Sequence, residues 1–465
     1  MIWSLIQNVG GQAVTLTFYV LLAVALTPVE FGIVGLATVW TAVLSAFTEL
    51  GFGAALVQRR EITSEHTSTT FVVNLAVGVL LGGVGALVAG PVATWFDEPL
   101  LRPVVTALSL GFVLRAPGLT HAALALRDMR FRTLAMRDIV ANGLGGAVGL
   151  SLAIAGFGVW SLVALNLVVA ASATAIMWLG DSWRPRFGDV SKRALAELWP
   201  YSSSILGFNL FKAVAQNADR LIVGQLLGTA AVGFYSVASR LVLQAIAVPI
   251  NALGVYLFPK VSRADGDLVA ARESYGVVLA LSLAIAVPFV VAVLAAAPAL
   301  VPWLGEAWLP VVPLMAWLGL AAVARAIFSP GTQMMKALGR PDTMLRWSIV
   351  VSVITTSALF AGASWGLTGV TAAFAIGHLV ALPMLIRMVY QLSGYGFREH
   401  LRRGRRALTG GVLMSAGLYA TNAWLSETSV AALGIVSAGA WGVWLLRREP
   451  EVAARAPHSL RWLVG

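Results

Sequence analysis

Cysteine is absent from this 465-residue chain, and charge is scarce. Without a thiol there is no disulfide framework and no thiolate metal site. Charged residues make up 11% of the chain, where an ordinary soluble domain carries about 25%. No G-x-x-x-x-G-K-[ST] loop occurs, which excludes nucleotide hydrolysis through a Walker site. No H-E-x-x-H pair, no cluster of His, Asp and Glu at metal-ligand spacing and no G-x-S-x-G elbow is present. Long hydrophilic segments are missing too, so no soluble domain is left to hold a separate active site. The chain reads as a non-enzyme, with no metal and no cofactor.

What fills it instead is apolar residue, 58% of the total. Stretches of roughly 22 such residues recur, the length at which a helix crosses hydrocarbon. About fourteen spans are expected, at 3–26, 33–57, 71–94, 104–126, 137–156, 158–179, 197–224, 232–257, 273–299, 310–335, 344–364, 366–391, 407–425 and 428–446. The tightest junction is near Gly156 and Gly158. The fold class is therefore an all-α polytopic membrane protein. The first stretch lacks a basic leader and a small-residue cleavage site, so it reads as a retained helix.

Positive charge falls into every second gap. Arg59 and Arg60 occupy the second, Arg127, Arg130, Arg132 and Arg137 the fourth, and Arg184, Arg186, Lys192 and Arg193 the sixth. Lys260, Arg263 and Arg272 follow in the eighth, then Lys336, Arg340 and Arg346 in the tenth. Arg398, Arg402, Arg403, Arg405 and Arg406 fill the twelfth, and the tail adds Arg447, Arg448, Arg455 and Arg461. Together these hold 25 of the 32 basic residues, while the odd gaps hold only Arg102. The even gaps and both termini are therefore expected in the cytoplasm. A net charge of +11 distributed this way fits the anionic inner face of a membrane and its lipids, not nucleic acid.

A shift of 201 positions aligns "LTPVEFGIVGLA" with "LGTAAVGFYSVA", setting Leu26, Gly32 and Ala37 on Leu227, Gly233 and Ala238. Asn8 falls on Asn209 and Leu56 on Leu257. This implies two six-helix lobes in parallel repeat, with two additional C-terminal helices. The expected organisation is a first lobe at 1–179, an amphipathic cytoplasmic linker at 180–196 and a second lobe at 197–391. A basic cytoplasmic loop at 392–406, two extra helices at 407–446 and a cytoplasmic tail at 447–465 complete it.

Several spans carry polar stripes at three- and four-residue spacing, which places each stripe on one helix face. Ser4, Asn8, Gln12, Thr15 and Tyr19 form one, and Thr38, Thr41, Ser45 and Thr48 another, with Glu49 beside it. A third runs Asn209, Lys212, Gln216, Asp219 and Arg220. Ser236, Arg240 and Gln244 form a fourth, and Arg325, Ser329 and Gln333 a fifth. Arg115, Lys212, Arg220, Arg240, Arg325 and Arg387 all fall within spans. Arg387 lies near a helix end and is expected to snorkel. Each of the other five would cost about 2.5–3.5 kcal/mol in lipid. Only Glu49 and Asp219 are clearly intramembrane acids, too few to neutralise them.

A water-filled cationic cavity is the economical solution, and it suits an anionic ligand. Lys212, Arg220, Arg240, Arg325 and Arg115 are the candidate substrate-binding residues. Asn8, Gln12, Asn209, Gln216 and Gln244 are the expected polar lining, and Glu49 and Asp219 the candidate ion-coupling sites. For Asp219 a structural ion pair with Arg220 or Arg240 is the competing role. For Arg115 it is satisfying carbonyls freed by Pro117. His121 and His378 read as packing residues, and Gly78/Gly82 and Gly145/Gly149 as close helix contacts.

"WSLIQNVGGQ", "LTPVEFGIVGLA" and "ELGFGAALVQRREIT" resemble the start of bacterial polysaccharide exporters and oligosaccharide (O-antigen type) flippases. These belong to the multidrug/oligosaccharidyl-lipid/polysaccharide exporter superfamily. "ALRDMRFRTLAMRD" with "GFGVWSLVA", and "NADRLIVGQLLGTAAVGFYSVASRLV", resemble later parts of the same family, so the likeness covers residues 1–400. Glu49 matches a position where the family often has an acid, and Asp219 and Arg220 match its "ADR". Val24 and Gln225 depart from it, because the family often has Arg at the first of these positions. The resemblance implies two lobes that alternate between inward- and outward-open states. It also implies transport of an undecaprenyl-diphosphate-linked oligosaccharide across the bacterial inner membrane, for lipopolysaccharide or exopolysaccharide synthesis. A polysaccharide polymerase and a chain-length regulator are the protein partners of such a role. The rivals are a lipid II flippase, a multidrug/cation antiporter of the same fold and, less favoured, a membrane glycan polymerase or ligase.

Overall fold

The computed structural model describes residues 10–48, 52–262, 267–421 and 425–448. Asn8 and Glu49 lie outside them. Among the described residues every element is helical. Nine stretches are long and apolar enough to cross a membrane by length and composition, and one of these, Asp342–Ser393, contains two helices. Each of the fourteen expected spans overlaps at least one described helix, and 3–26, 33–57 and 407–425 run in part over residues outside the description.

Contacts divide the chain into two units, Met1–Ser236 and Val237–Gly465. The first unit opens with α1 (Gly11–Ala25) and α2 (Pro28–Thr48). α2 starts five residues before the apolar run because Thr27-Pro28-Val29-Glu30 builds a reciprocal cap. The Thr27 backbone N–H and hydroxyl donate to Glu30 Oε2 at 2.7 and 2.9 Å, and Pro28 takes the first helical position, where its missing N–H costs nothing. A short α3 (Phe52–Gln58) follows. Arg127 closes its end, with Nη1 donating to the Leu56 and Arg59 carbonyls at 2.5 Å each. This satisfies orphan acceptors at a helix C-terminus.

α4 (Ser64–Trp95) pairs with α5 (Leu101–Arg127), and α6 (Phe131–Ile154) with α7 (Val159–Gly180). The expected glycine contacts are present. A Cβ on Gly78 would stand 2.9 Å from the Phe112 carbonyl of α5, and one on Gly145 2.8 Å from the Leu165 carbonyl of α7. Small residues let these backbones approach where no hydrophobic drive exists between helices in lipid. The tight junction after Ile154 is a four-residue turn in which Gly156 (φ 83°) and Gly158 (φ 55°) take the left-handed backbone that side chains disfavour.

The segment between α7 and α8 (Lys192–Leu227) is extended, with one 3₁₀ turn at Phe187–Asp189. It is pinned to the start of α4, where the Ser68 and Thr69 hydroxyls accept the Arg186 and Ser191 backbone N–H groups at 3.1 and 3.0 Å. Ser191 caps α8, so this helix absorbs the end of the expected linker. α8 packs on α2, α3 and α4 within the first unit, as does the start of α9 (Thr229–Ser239) on α2.

Asp181 and Arg130 meet at 2.7 Å, the carboxylate side chain 9% exposed. Burial pushes the Asp181 carboxyl up. Hydrogen bonds from Arg130 and the Trp183 N–H, with the charge of Arg130, outweigh it and hold the group below the ordinary aspartate range. A depressed value stabilises the fold above about pH 4 and loses that contribution as pH falls further. Arg130→Ala leaves a nearly buried carboxylate unpaired and is expected to cost about 2 kcal/mol at pH 7. The deficit should shrink toward pH 4, because a protonated Asp181 needs no counter-ion. Thermal unfolding of the detergent-solubilised protein at both pH values checks this.

The α2–α9 crossing bears on the internal repeat. A Cβ on Gly32 would overlap the Thr229 carbonyl, and a Cβ on Gly233 would overlap the Pro28 carbonyl. Under the 201-residue shift, Pro28 maps to Thr229 and Gly32 to Gly233. Each helix thus sets its glycine against the first turn of the other.

The second unit continues with a π turn at Arg240–Gln244, α10 (Ala245–Ser262), α11 (Leu268–Leu300), α12 (Val311–Ala337), α13 (Pro341–Gly362) and α14 (Gly366–Ser393). α11 is the hub, packing against α10, α12, α15 (Phe397–Thr421) and α16 (Glu427–Arg448). The two C-terminal helices are therefore seated on α11. Buried Tyr275 of α11 donates its hydroxyl to His400 Nε2 at 2.9 Å, while His400 Nδ1 donates to the Gly396 carbonyl at 2.9 Å. Those two bonds fix the imidazole tautomer and lock α15 to α11. Arg272 and Glu399 add an ion pair across the same junction.

Candidate functional site

Arg115 sits mid-way along α5 and opens into a cavity of about 250 Å³ inside the first unit. Thr38, Thr41 and Ser45 of α2 and Asn166 of α7 contribute the remaining polar lining. The α2 stripe expected from spacing thus faces a chamber, as a polar row in a membrane helix must face protein or water. Arg115 makes no hydrogen bond and no ion pair among the described residues. Two carbonyls near Pro117 are met by other side chains. The Leu114 carbonyl accepts from Thr174 Oγ1 at 2.7 Å, and the Pro117 carbonyl from Trp178 Nε1 at 3.1 Å.

α8 carries Asn209, Lys212, Gln216, Asp219 and Arg220. Lys212 and Gln216 are exposed, and the other three are half-buried. Asp219 does not pair with a cation among the described residues. Its Oδ2 accepts the hydroxyl of buried Tyr235 at 2.6 Å and its Oδ1 accepts the Arg220 backbone N–H at 2.8 Å. The Arg220 guanidinium donates only to Asn217 Oδ1, at 3.4 Å, and its Nε is buried with no partner among the described residues. Lys212 likewise has no ion pair among them. Gln12 on α1 is exposed.

The stripe Ser236, Arg240 and Gln244 runs into the π turn, which adds a residue to that turn and shifts the helix phase. Arg240 is half-buried and Gln244 exposed. The π turn packs on α12, the helix that carries exposed Arg325. His121, wedged between the Trp178 and Trp183 rings at 4.9 Å each, and His378, stacked on Phe328 at 5.6 Å, are packing residues as expected.

Two members of these sites escape the sequence reading. Asn166 stands alone in the apolar run "LVALNLVVA", and that isolation is the signal that marks it. Tyr235, the partner of Asp219, lies beyond the turn between α8 and α9, out of reach of any helical spacing.

The model of a family described as "Polysaccharide biosynthesis protein" matches residues 21–313. The chain belongs to this family. Over 452 residues it is 26% identical to the succinoglycan biosynthesis transport protein ExoT of Rhizobium meliloti, covering 93% of this chain and 90% of that one. It is 20% identical to the lipopolysaccharide biosynthesis protein WzxC of Escherichia coli, across 86% of this chain and 82% of the other. Among solved structures, the lipid II flippase MurJ in an inward closed conformation shares the fold, with a TM-score of 0.75 at 11% identity and coverage of 96% and 99%. An inward-facing MATE multidrug transporter follows at 0.67 and 15%, covering 82% and 96%. The shared multi-pass helical fold extends over nearly the whole length of the chain.

Proposed function

We propose that this chain is a flippase that carries an undecaprenyl-diphosphate-linked oligosaccharide across the bacterial inner membrane for cell-surface polysaccharide synthesis. The observation that carries the reading is the state of Arg115, Lys212 and Arg220. Arg115 lies on a helix apolar enough to cross a membrane, Lys212 and Arg220 lie on α8, the expected seventh span, and none of the three has a carboxylate partner among the described residues. Cations left without counter-ions at membrane depth are retained where an anionic ligand supplies the missing charge. Family membership and relatives named for polysaccharide transport support the same direction.

In this reading Lys212, Arg220, Arg240, Arg325 and Arg115 are the substrate-binding cations, and Arg115 takes an acidic part of the headgroup. The polyprenyl tail stays in the bilayer. Asp219 and Glu49 couple the cycle to ions, and Asn8, Gln12, Asn209, Gln216 and Gln244 wet the path. Both termini and the arginine-rich even gaps lie in the cytoplasm. A polysaccharide polymerase and a chain-length regulator receive the product outside. A drug/cation antiporter would need acids in the cavity, and the apolar spans hold few. The test is the leaflet distribution of a labelled carrier-linked glycan in a strain lacking this protein and any second flippase. Accumulation in the inner leaflet is expected, and undiminished outward movement would refute the proposal.

A further inference from the structure

The chamber around Arg115 has a polarity that diphosphate binding alone does not call for. Arg115 brings five N–H donors and no acceptor. The three α2 hydroxyls have each turned their single proton back on the helix. Thr38 Oγ1 donates to the Gly35 carbonyl at 2.8 Å, Thr41 Oγ1 to the Thr38 carbonyl at 3.1 Å and Ser45 Oγ to the Ala42 carbonyl at 2.7 Å. Asn166 Nδ2 donates to the Leu162 carbonyl at 2.8 Å. What these four side chains keep for a ligand is chiefly oxygen lone pairs. The lining is thus a set of acceptors around one guanidinium.

A bare phosphate group, rich in acceptor oxygens, would satisfy Arg115 but meet the lone pairs of the hydroxyls. A sugar ring supplies hydroxyl donors to acceptors of that kind, and a carboxylate on the ring supplies the planar partner that an arginine fork grips through two N–H groups. We infer that this chamber binds one acidic sugar of the glycan, its hydroxyls on Thr38, Thr41, Ser45 and Asn166 and its carboxylate on Arg115. The inference rests on the flippase reading and deepens it. The cations on α8 read the carrier, whereas the α2–α5–α7 chamber selects for a uronic acid in the cargo.

The experiment measures equilibrium binding to the purified chain in lipid nanodiscs, using three probes. These are undecaprenyl diphosphate, the same lipid carrying glucose and the same lipid carrying glucuronic acid, which differ from one another only in the sugar. Wild-type protein is expected to bind the glucuronyl lipid about tenfold more tightly than the glucosyl lipid, the worth of one charge-assisted pair. Arg115→Gln should bring that ratio to within about twofold, while Arg115→Lys should keep part of it, since it retains the charge and loses the fork. T41V together with S45A should weaken both sugar-bearing lipids toward the bare carrier. A wild-type ratio near one overturns the inference without any variant being needed, and leaves the flippase reading standing if the carrier itself binds. Loss of bare-carrier binding in Arg115→Gln equal to the loss of the glucuronyl lipid also overturns it, because Arg115 would then read the diphosphate. If no carrier lipid binds at all, the flippase reading fails and the inference with it.

Discussion

Alanine at Gly32 is expected to abolish transport. The added Cβ would overlap the Thr229 carbonyl, a backbone atom that no rotamer change can move. Relief requires α2 and α9 to separate, and overpacking of this kind costs about 3 kcal/mol or more. Gly233→Ala meets the Pro28 carbonyl in the reciprocal way. Because both substitutions disrupt one crossing, the double variant should be little worse than either single one, a non-additive result. Unfolding temperature and flipping rate of all three variants measure this. Wild-type values for Gly32→Ala would show that the crossing has no such role. The same crossing offers a direct control. A Cβ on Gly35 would stand 4.0 Å from the Ser236 Cβ, within the span of a disulfide. The native chain has no cysteine, so G35C with S236C should form one unambiguous bond across the closed crossing, and transport should persist with that bond in place.

The second large effect concerns Lys212 and Arg220. K212M with R220M should lower flipping about 100-fold, at roughly tenfold for each charge-assisted hydrogen bond to the substrate that is removed. Stability should move the other way. Neither group has a counter-ion among the described residues, so methionine in its place leaves no carboxylate without a partner. The unfolding temperature is therefore expected to hold or rise while transport falls, the pattern of a binding site that is kept at the expense of stability. A parallel fall in both would mark the two residues as structural.

Much of the fold is legible in the sequence because the bilayer demands it. Apolar runs long enough to cross, separated by basic gaps, give each helix its place. The errors of extent have local causes. α2 begins at Pro28 rather than 33 because its first turn is set by the Thr27–Glu30 cap, not by hydrophobicity. α8 reaches back to Lys192 because Ser191 caps it. The eighth span carries a π turn between α9 and α10, and its five residues look like any others.

At the site, spacing places the α2 hydroxyls correctly on one face and isolates Arg115 as a cation in an apolar run. It cannot say that those hydroxyls face Arg115, because that depends on how α2, α5 and α7 pack. Nor does it foresee that Asp219 takes Tyr235 rather than an arginine. The local sequence offers Arg220 as neighbour, but adjacent positions on a helix point in different directions. Glu49 and Asn8 fall outside the described residues, and their roles stay with the proposal.

The most direct test uses the purified protein in proteoliposomes made with fluorescent undecaprenyl-diphosphate-linked oligosaccharide, quenched from the outside over time. Wild-type protein should expose the inner pool to quencher, and K212M with R220M should leave that pool protected as in protein-free vesicles. Equal quenching by the wild type and the variant, or none by either, would contradict a cationic passage for an anionic lipid-linked glycan.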